Sequence, residues 1–176
     1  MALVKISKGA DIRHEYTDGV SRVPVLEGAY KDAAVERISL QPGAELSPAL
    51  YSKTEHNQVF LITAGKGYIA TPRRVFNITE VSVFVPDFDK EQFTFHCAAD
   101  AKECMEIVHF VTELNDYDKT CLKEAHLTLP RFRGVSQAWH YKEDFTGADI
   151  QQMMMIEHRN LGRLSMGANF GTGPNY

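Results

Sequence analysis

The sequence predicts an all-β fold in which short strands form a barrel or a sandwich. Three observations predict it: short β-rich segments are separated by Gly, Pro, Asn and Asp, these segments recur at regular spacing, and the first two-thirds of the chain has no long helical period. The chain has 176 residues, of which 44% are hydrophobic, so it is long enough to bury a core of its own. We therefore expect a globular barrel as the main unit.

Glycine and proline residues mark the ends of several predicted strands. Gly65 and Gly67 bracket a tight turn between two strands, because a residue without Cβ can adopt a positive φ. Pro86 ends a strand because it lacks a backbone N–H donor. The predicted strands lie at residues 22–26, 34–40, 59–63, 67–70, 81–86, 92–97 and 105–112.

The last third of the chain has a different character. Residues 115–136 are acidic and then mixed, which predicts a connector with a short helix near residues 119–125. Residues 151–157 and 162–167 are β-like, and the methionine-rich run in the first favours a buried strand because it is short and precedes a turn. The predicted organisation is a barrel with N-terminal strands (1–114), a connector (115–136) and a C-terminal β segment (137–176).

The order of turns and strands between residues 37 and 86 resembles that of the cupin superfamily. The stretch begins RISLQPG at residues 37–43, continues through a polar run at 51–58 and a strand and turn at 59–68, and ends on the strand that Pro86 closes. The resemblance implies a cupin-type double-stranded β-helix, or jelly-roll, barrel with additional N- and C-terminal strands. Residues 163–166, RLSM, repeat the character of RISL, so the C-terminal segment resembles the start of a second unit in a bicupin.

The resemblance also locates the places of the cupin metal ligands. In cupins a His-x-His pair on one strand directs two imidazoles into the lumen, because strand residues alternate, and a Glu and a later His complete the site. Counting back from Gly65 puts Gln58 at the Glu place and Tyr51 and Lys53 at the two His places. With a gap shorter by one residue, Ser52 and Thr54 take the His places instead, and Glu91 lies near the last His place.

These residue types do not make a standard metal site. A protonated Lys has no lone pair to donate, and Gln is a poor neutral ligand for iron, manganese or nickel. We therefore predict that the chain has no metal cofactor. The candidate ligand-binding residues in the lumen are instead Tyr51, Lys53, Gln58 and Glu91, whose phenol, ammonium, amide and carboxylate groups suit a sugar or a small acid. The alternative is that Lys53 and Glu91 point to solvent and Gln58 bonds the backbone.

Two histidines are further lumen candidates. His96 and His109 lie on strands that are neighbours along the chain, and their parity can bring both onto one face. A pair of this kind can shuttle protons or bind metal. The alternative is that both are hydrogen-bonded core histidines.

Three functional hypotheses follow. The first is metal-independent binding of a small molecule or carbohydrate in the lumen, in a homodimer formed through edge strands. The second, implied by the resemblance to bicupins, is that the chain is part of a uronate-type sugar isomerase whose metal site lies in a second barrel. The third is a non-catalytic structural half. Whether any reaction is catalysed is left open, and no catalytic residue is assigned.

Charge and cysteine content exclude other classes. A net charge of −4 with scattered basic residues argues against nucleic acid and anionic membranes as partners. The chain has no apolar leader and no membrane-length apolar run, which predicts a cytoplasmic protein. Three cysteines without framework spacing predict reduced thiols, although Cys97 and Cys104 flank a turn and a disulfide between them is an alternative.

Overall fold

The computed structural model of the chain describes residues 12–25, 33–48, 56–87, 91–113, 116 and 129–134. The elements delimited within these residues are all strands, which confirms the all-β prediction. They are β1 (Val20–Pro24), β2 (Ala33–Leu40), β3 (Glu45–Leu46), β4 (His56–Ala64), β5 (Gly67–Ala70), β6 (Val75–Ile78), β7 (Ser82–Val85), β8 (Thr94–Cys97), β9 (Met105–Glu113) and β10 (Arg131–Gly134).

The strands form two antiparallel sheets. The larger sheet has the order β1-β2-β9-β4-β7-β10, and the smaller sheet has the order β3-β8-β5-β6. Strands that follow one another in the chain repeatedly change sheet, as β4 and β5 do. This alternation between two facing sheets is that of a jelly roll.

All seven predicted strands are present with bounds that differ by a few residues, and three strands were not predicted. β3 has two residues, which is too short to produce a hydrophobic pattern. β6 follows the charged turn Arg73-Arg74, which obscured the alternation of its own four residues. β10 lies inside the predicted connector and pairs with β7, so this part of the connector belongs to the larger sheet.

The turn predicted at residues 65–67 is confirmed, and its two glycines are needed for different reasons. Gly65 has a φ of 91°, in the left-handed region that favours glycine. A Cβ at Gly67 would instead meet the carbonyl oxygen of His96 on the paired strand β8. The turn at Gly65 therefore carries the chain from β4 in the larger sheet to β5 in the smaller sheet, and Gly67 allows β5 to pair closely with β8.

The core lies between the two sheets and is rich in phenylalanine. The side chains of Phe60, Phe84, Phe93 and Phe95 are buried, and their ring centroids lie between 5.0 and 6.3 Å apart in every pairing. Offset and edge-to-face contacts of this kind add to the stabilisation from burial. We call these four side chains the ring cluster.

Aliphatic side chains fill the interior beside the turn at Gly65. The buried residues there include Leu40, Ile62, Cys97 and Met105. Cys97 and Cys104 are free thiols, so the alternative of a disulfide between them is not found. Burial raises the pKa of the Cys97 thiol, which keeps it protonated.

Several sequence predictions lie outside the described residues. They are the lumen positions of Tyr51 and Lys53, the short helix near 119–125 and the C-terminal β segment at 137–176. In the described parts of the chain, no helix has the length and hydropathy needed to span a membrane.

Candidate functional site

Strand register brings a carboxylate and an imidazole to the same level of the larger sheet. Glu36 on β2 pairs with His109 on β9, and His109 pairs with Phe60 on β4. Side chains opposite one another in a sheet share a face, and Phe60 belongs to the ring cluster. Glu36 and His109 therefore lie on the face of the larger sheet that lines the interior.

The buried imidazole of His109 is hydrogen-bonded on both sides. Its side chain is 2% exposed, its Nδ1 lies 2.7 Å from Oε1 of Glu36, and its Nε2 lies 3.0 Å from Oε1 of Gln58. Arg22 binds the same carboxylate through two bonds, with Nη2 2.6 Å from Oε1 and Nε 3.1 Å from Oε2. We call this set the inner polar network: Arg22, Glu36, His109 and Gln58.

The carboxyl group of Glu36 is ionised over the whole physiological range. Burial acts to raise its pKa, but hydrogen bonds from His109 and Arg22 and the charge of Arg22 outweigh burial and lower the pKa to about 2. An ionised carboxylate can only accept hydrogen bonds, so Nδ1 of His109 carries a proton and donates it to Glu36.

The other ring nitrogen of His109 faces the carbonyl oxygen of Gln58, which is also an acceptor. Both ring nitrogens of His109 therefore have hydrogen-bond partners inside the protein. The ring also stacks on Phe60 at a centroid distance of 4.1 Å and an interplanar angle of 5°. This stacking packs the ring against the ring cluster and helps to fix its plane.

Gln58 connects this network to the predicted site. Its side chain is 3% exposed and hydrogen-bonds the ring of His109. With the amide oxygen directed at His109, the amide nitrogen remains a donor for another group. The structure thus brings Gln58 and His109 together, two of the residues that the sequence singled out.

Glu91 lies on the opposite side of the interior. It precedes β8, its side chain is 9% exposed, and it forms an ion pair with Arg73 in the turn between β5 and β6. Its Oε2 atom is buried and has no hydrogen-bond partner among the described residues. Glu91 is therefore not the solvent-directed rim residue of the alternative interpretation.

The structure corrects the expectation for His96. β8 belongs to the smaller sheet and β9 to the larger one, so His96 and His109 do not lie on neighbouring strands of one face. Phe95 and Cys97 take the interior positions of β8, and alternation turns His96 outward. There it stacks on Tyr68 at 4.3 Å, with its Nδ1 3.1 Å from Oε1 of Glu45.

Sequence reasoning missed Glu36 and Arg22. A signal for Glu36 was present, because it has the same strand parity as Ile38 and Leu40, both of which are fully buried. A charged residue at an interior position of an amphipathic strand requires a partner. Arg22 had no such signal, since its guanidinium reaches Glu36 from an edge strand.

The described residues do not fit a conventional cupin metal centre. Gln58, at the place of the Glu ligand, directs its oxygen at His109, and both nitrogens of His109 face protein oxygens. Glu91, near the place of the last His, is an ion-pair partner of Arg73. Among the parts of the chain that the structure describes, no group of three or more His, Cys, Asp and Glu side chains could hold a metal ion.

A second polar network lies on the outer face of the same sheet. Glu106 accepts a hydrogen bond of 2.6 Å from Ser39 and one of 3.3 Å from Arg37, and the N-terminal segment before β1 covers them. From that segment, the Tyr16 hydroxyl lies 2.9 Å from Oγ of Ser39, and His14 bonds Ser21. We call this set the outer polar network: His14, Tyr16, Ser21, Arg37, Ser39 and Glu106.

Comparison with known proteins identifies the fold. No protein-family model matches the chain, and no curated protein sequence matches it. Among solved structures, KdgF from Halomonas sp. is similar with a TM-score of 0.53 and 11% identity, over 65% of this chain and 97% of that one. A predicted oxalate decarboxylase from Thermotoga maritima is similar with a TM-score of 0.51 and 16% identity, over 62% of this chain and all of that one (100%). Ectoine synthase from P. lautus is similar with a TM-score of 0.51 and 14% identity, over 64% and 80% of the two chains.

Two statements follow from the sheets and from these neighbours. The protein is an all-β jelly roll with a polar network built into one side of its interior. Its fold is a jelly-roll barrel of the cupin type, as the resemblance found in the sequence predicted. At these levels of identity the likeness identifies the fold alone.

Proposed function

We propose that this protein binds a small polar molecule inside its barrel, at the inner polar network, without a metal ion. The observation that carries the proposal is the placement of His109 and Glu36 on the interior face, beside the ring cluster. Charged groups in a protein interior are costly to desolvate, and apolar residues of similar volume often stabilise a fold as well or better. A network of this kind is therefore better explained by binding than by stability.

The network also supports the proposal chemically. Arg22 hydrogen-bonds Glu36, and Glu36 hydrogen-bonds His109 and so orients its ring. The other ring nitrogen of His109 hydrogen-bonds the side-chain oxygen of Gln58. The Gln58 amide nitrogen is then a preorganised donor, and Arg22 is partly exposed at the edge of the sheet. Preorganised polar groups beside an apolar wall are typical of small-molecule sites. Tyr51 and Lys53 remain predicted contributors.

The test is a ligand screen on the full chain in the presence of a chelator. Ligand-observed NMR with a library of small polar metabolites identifies binders, and their affinities are then measured for the wild type, for Gln58→Leu and for the exposed control Gln41→Leu. We expect Gln58→Leu to weaken binding at least tenfold, about 1.4 kcal/mol, and the control to leave it unchanged. Binding that is independent of Gln58, or that appears only after a divalent metal is added, would contradict the proposal.

A second candidate function is a structural one. The ring cluster fills part of the interior with apolar side chains, as expected of a barrel that supports a partner rather than binding a ligand. The ligand screen distinguishes the binding function from the structural one, because a purely structural barrel should bind no metabolite whose affinity depends on Gln58. The homodimer and the uronate-type isomerase with a site in a second barrel remain predictions, and reading the coding sequence beyond Tyr176 for a His-x-His pattern tests the second.

A further inference from the structure

Glu91 carries an acceptor that nothing in the described protein satisfies. Its side chain is nine-tenths buried, and Arg73 binds one of its oxygens while the other, Oε2, has no partner among the described residues. A buried carboxylate oxygen without a donor is unfavourable and is rare in folded proteins. Such an atom is expected where a ligand supplies the missing hydrogen bond.

Strand order places Glu91 at the same end of the interior as the inner polar network. β4 runs from His56 toward the turn at Gly65, and β5 returns in the opposite sheet to Ala70. Ala70 pairs with Thr94 at the start of β8. The residues just before β8, including Glu91, therefore lie at the end of the barrel where β4 begins. Gln58, near the start of β4, lies at the same end.

Ring contacts link the two sides of the interior at this end. Phe93, two residues after Glu91, contacts Phe60 with a centroid distance of 5.4 Å, and Phe60 stacks on His109 at 4.1 Å. Gln58 lies two residues before Phe60 and Glu91 lies two residues before Phe93, so both groups lie on the same side of the Phe60–Phe93 contact, Gln58 on the larger sheet and Glu91 on the smaller one.

The two sides differ in what they offer a ligand. Gln58 offers a donor, its amide nitrogen, and Glu91 offers an acceptor, its Oε2 atom. A hydroxyl group can accept from one and donate to the other, whereas a carboxylate or phosphate group has only acceptors and cannot donate to Oε2 of Glu91. We infer that the ligand is a polyhydroxylated molecule, neutral or carrying an ammonium group, that donates a hydrogen bond to Glu91, and that acidic sugars are excluded. This inference rests on the proposed function.

A matched set of three probes tests the ligand class. D-Glucose, D-glucosamine and D-glucuronate share one ring and differ in a neutral, a cationic and an anionic substituent. Their affinities are measured by NMR titration for the wild type, for Glu91→Gln and for Glu103→Gln, a control that removes the charge of an exposed glutamate. We expect glucose or glucosamine to bind at least tenfold more tightly than glucuronate to the wild type and to the control, and Glu91→Gln to reduce that preference at least fivefold.

A second readout uses the wild type alone, so that the test does not depend on the folding of a variant. In protein with carboxyl ¹³C-labelled glutamate, the Glu91 resonance should shift with the neutral or cationic probe and not with glucuronate. Equal or tighter binding of glucuronate, a preference that survives in Glu91→Gln, or no binding by any of the three probes would overturn the inference. The proposed function is tested separately, by the loss of binding of Gln58→Leu in the metabolite screen. If metabolites bind through Gln58 but the three sugars do not behave as expected, the inferred ligand class is wrong and the proposed function still stands.

Discussion

Two polar networks lie on opposite faces of the same strands, and they differ in what surrounds them. The outer polar network is partly exposed, with Glu106 22% and Arg37 29% exposed, and it attaches the N-terminal segment to the sheet. The inner polar network contains His109, whose side chain is 2% exposed. This network faces the ring cluster, whereas the outer one faces the N-terminal segment. The outer network attaches a segment that precedes the sheet, whereas the inner network links side chains of β1, β2, β9 and β4, which already pair through their backbones.

The comparison shows how alternation in a strand divides two tasks between adjacent residues. Glu36 and Ile38 face the interior, and Arg37 and Ser39 face outward. Two neighbouring charges, Glu36 and Arg37, therefore enter different networks on different faces. If the two networks differ in energy and in function, substitutions in one should have consequences that matched substitutions in the other do not.

The largest expected effect is that of Glu36→Gln. It removes the carboxylate that binds the buried His109 and Arg22, and because Arg22 is 42% exposed we expect a cost at the lower end of that for a buried pair, about 3 kcal/mol. Glu106→Gln removes a carboxylate whose partners are the neutral Ser39 and the partly exposed Arg37, and should cost about 1 kcal/mol. Urea denaturation measures both, and equal costs would remove the distinction between the networks.

The acid dependence of stability should be dominated by Glu36. Its pKa is about 2 in the folded protein against an ordinary value of 4.5, so its contribution is fully present above the ordinary value and is lost as the pH falls through about 2. The shift corresponds to about 3 kcal/mol in the free energy of unfolding. Denaturation at a series of acid pH values should show a steeper loss for the wild type than for Glu36→Gln. Parallel curves would contradict the assignment.

Tyr16→Phe should have a smaller effect. It removes the hydroxyl that bonds Ser39 at 2.9 Å, and a hydrogen bond of this type contributes about 1 kcal/mol. Tyr68→Phe is the matched control, because the described residues show no hydrogen bond to the Tyr68 hydroxyl. We expect the Tyr16 variant to increase proteolysis of the N-terminal segment without changing ligand affinity. A loss of affinity would mean that the two networks are coupled through the sheet.

The smallest effect on stability is expected from replacing the inner polar network by apolar side chains. Glu36→Leu, His109→Phe and Gln58→Leu together should leave the free energy of unfolding within about 1 kcal/mol of the wild type, or higher, because buried ionic networks are often replaced by hydrophobic residues without loss. The same triple variant should lose the binding of every ligand that depends on Gln58. A large destabilisation would assign the network a structural task instead.

The sequence predicted the strands and part of the site because both depend on local pattern. Alternation, glycines and Pro86 located the seven strands, and the spacing from Gly65 directed attention to Gln58. The sheet to which each strand belongs is not a local property, so His96 and His109 were expected together although β8 and β9 lie in different sheets. Glu36 was missed because its partner is 73 residues away along the chain, and only the register of β2 with β9 brings them together.

The most direct test of the account is the ¹⁵N NMR spectrum of the His109 ring, assigned with a His109→Gln variant. We expect a protonated Nδ1, ring resonances that do not change when zinc is added, and a shift of those resonances with ligands that require Gln58. A ring nitrogen that loses its proton and coordinates zinc, or a ring that does not respond to such ligands, would contradict it.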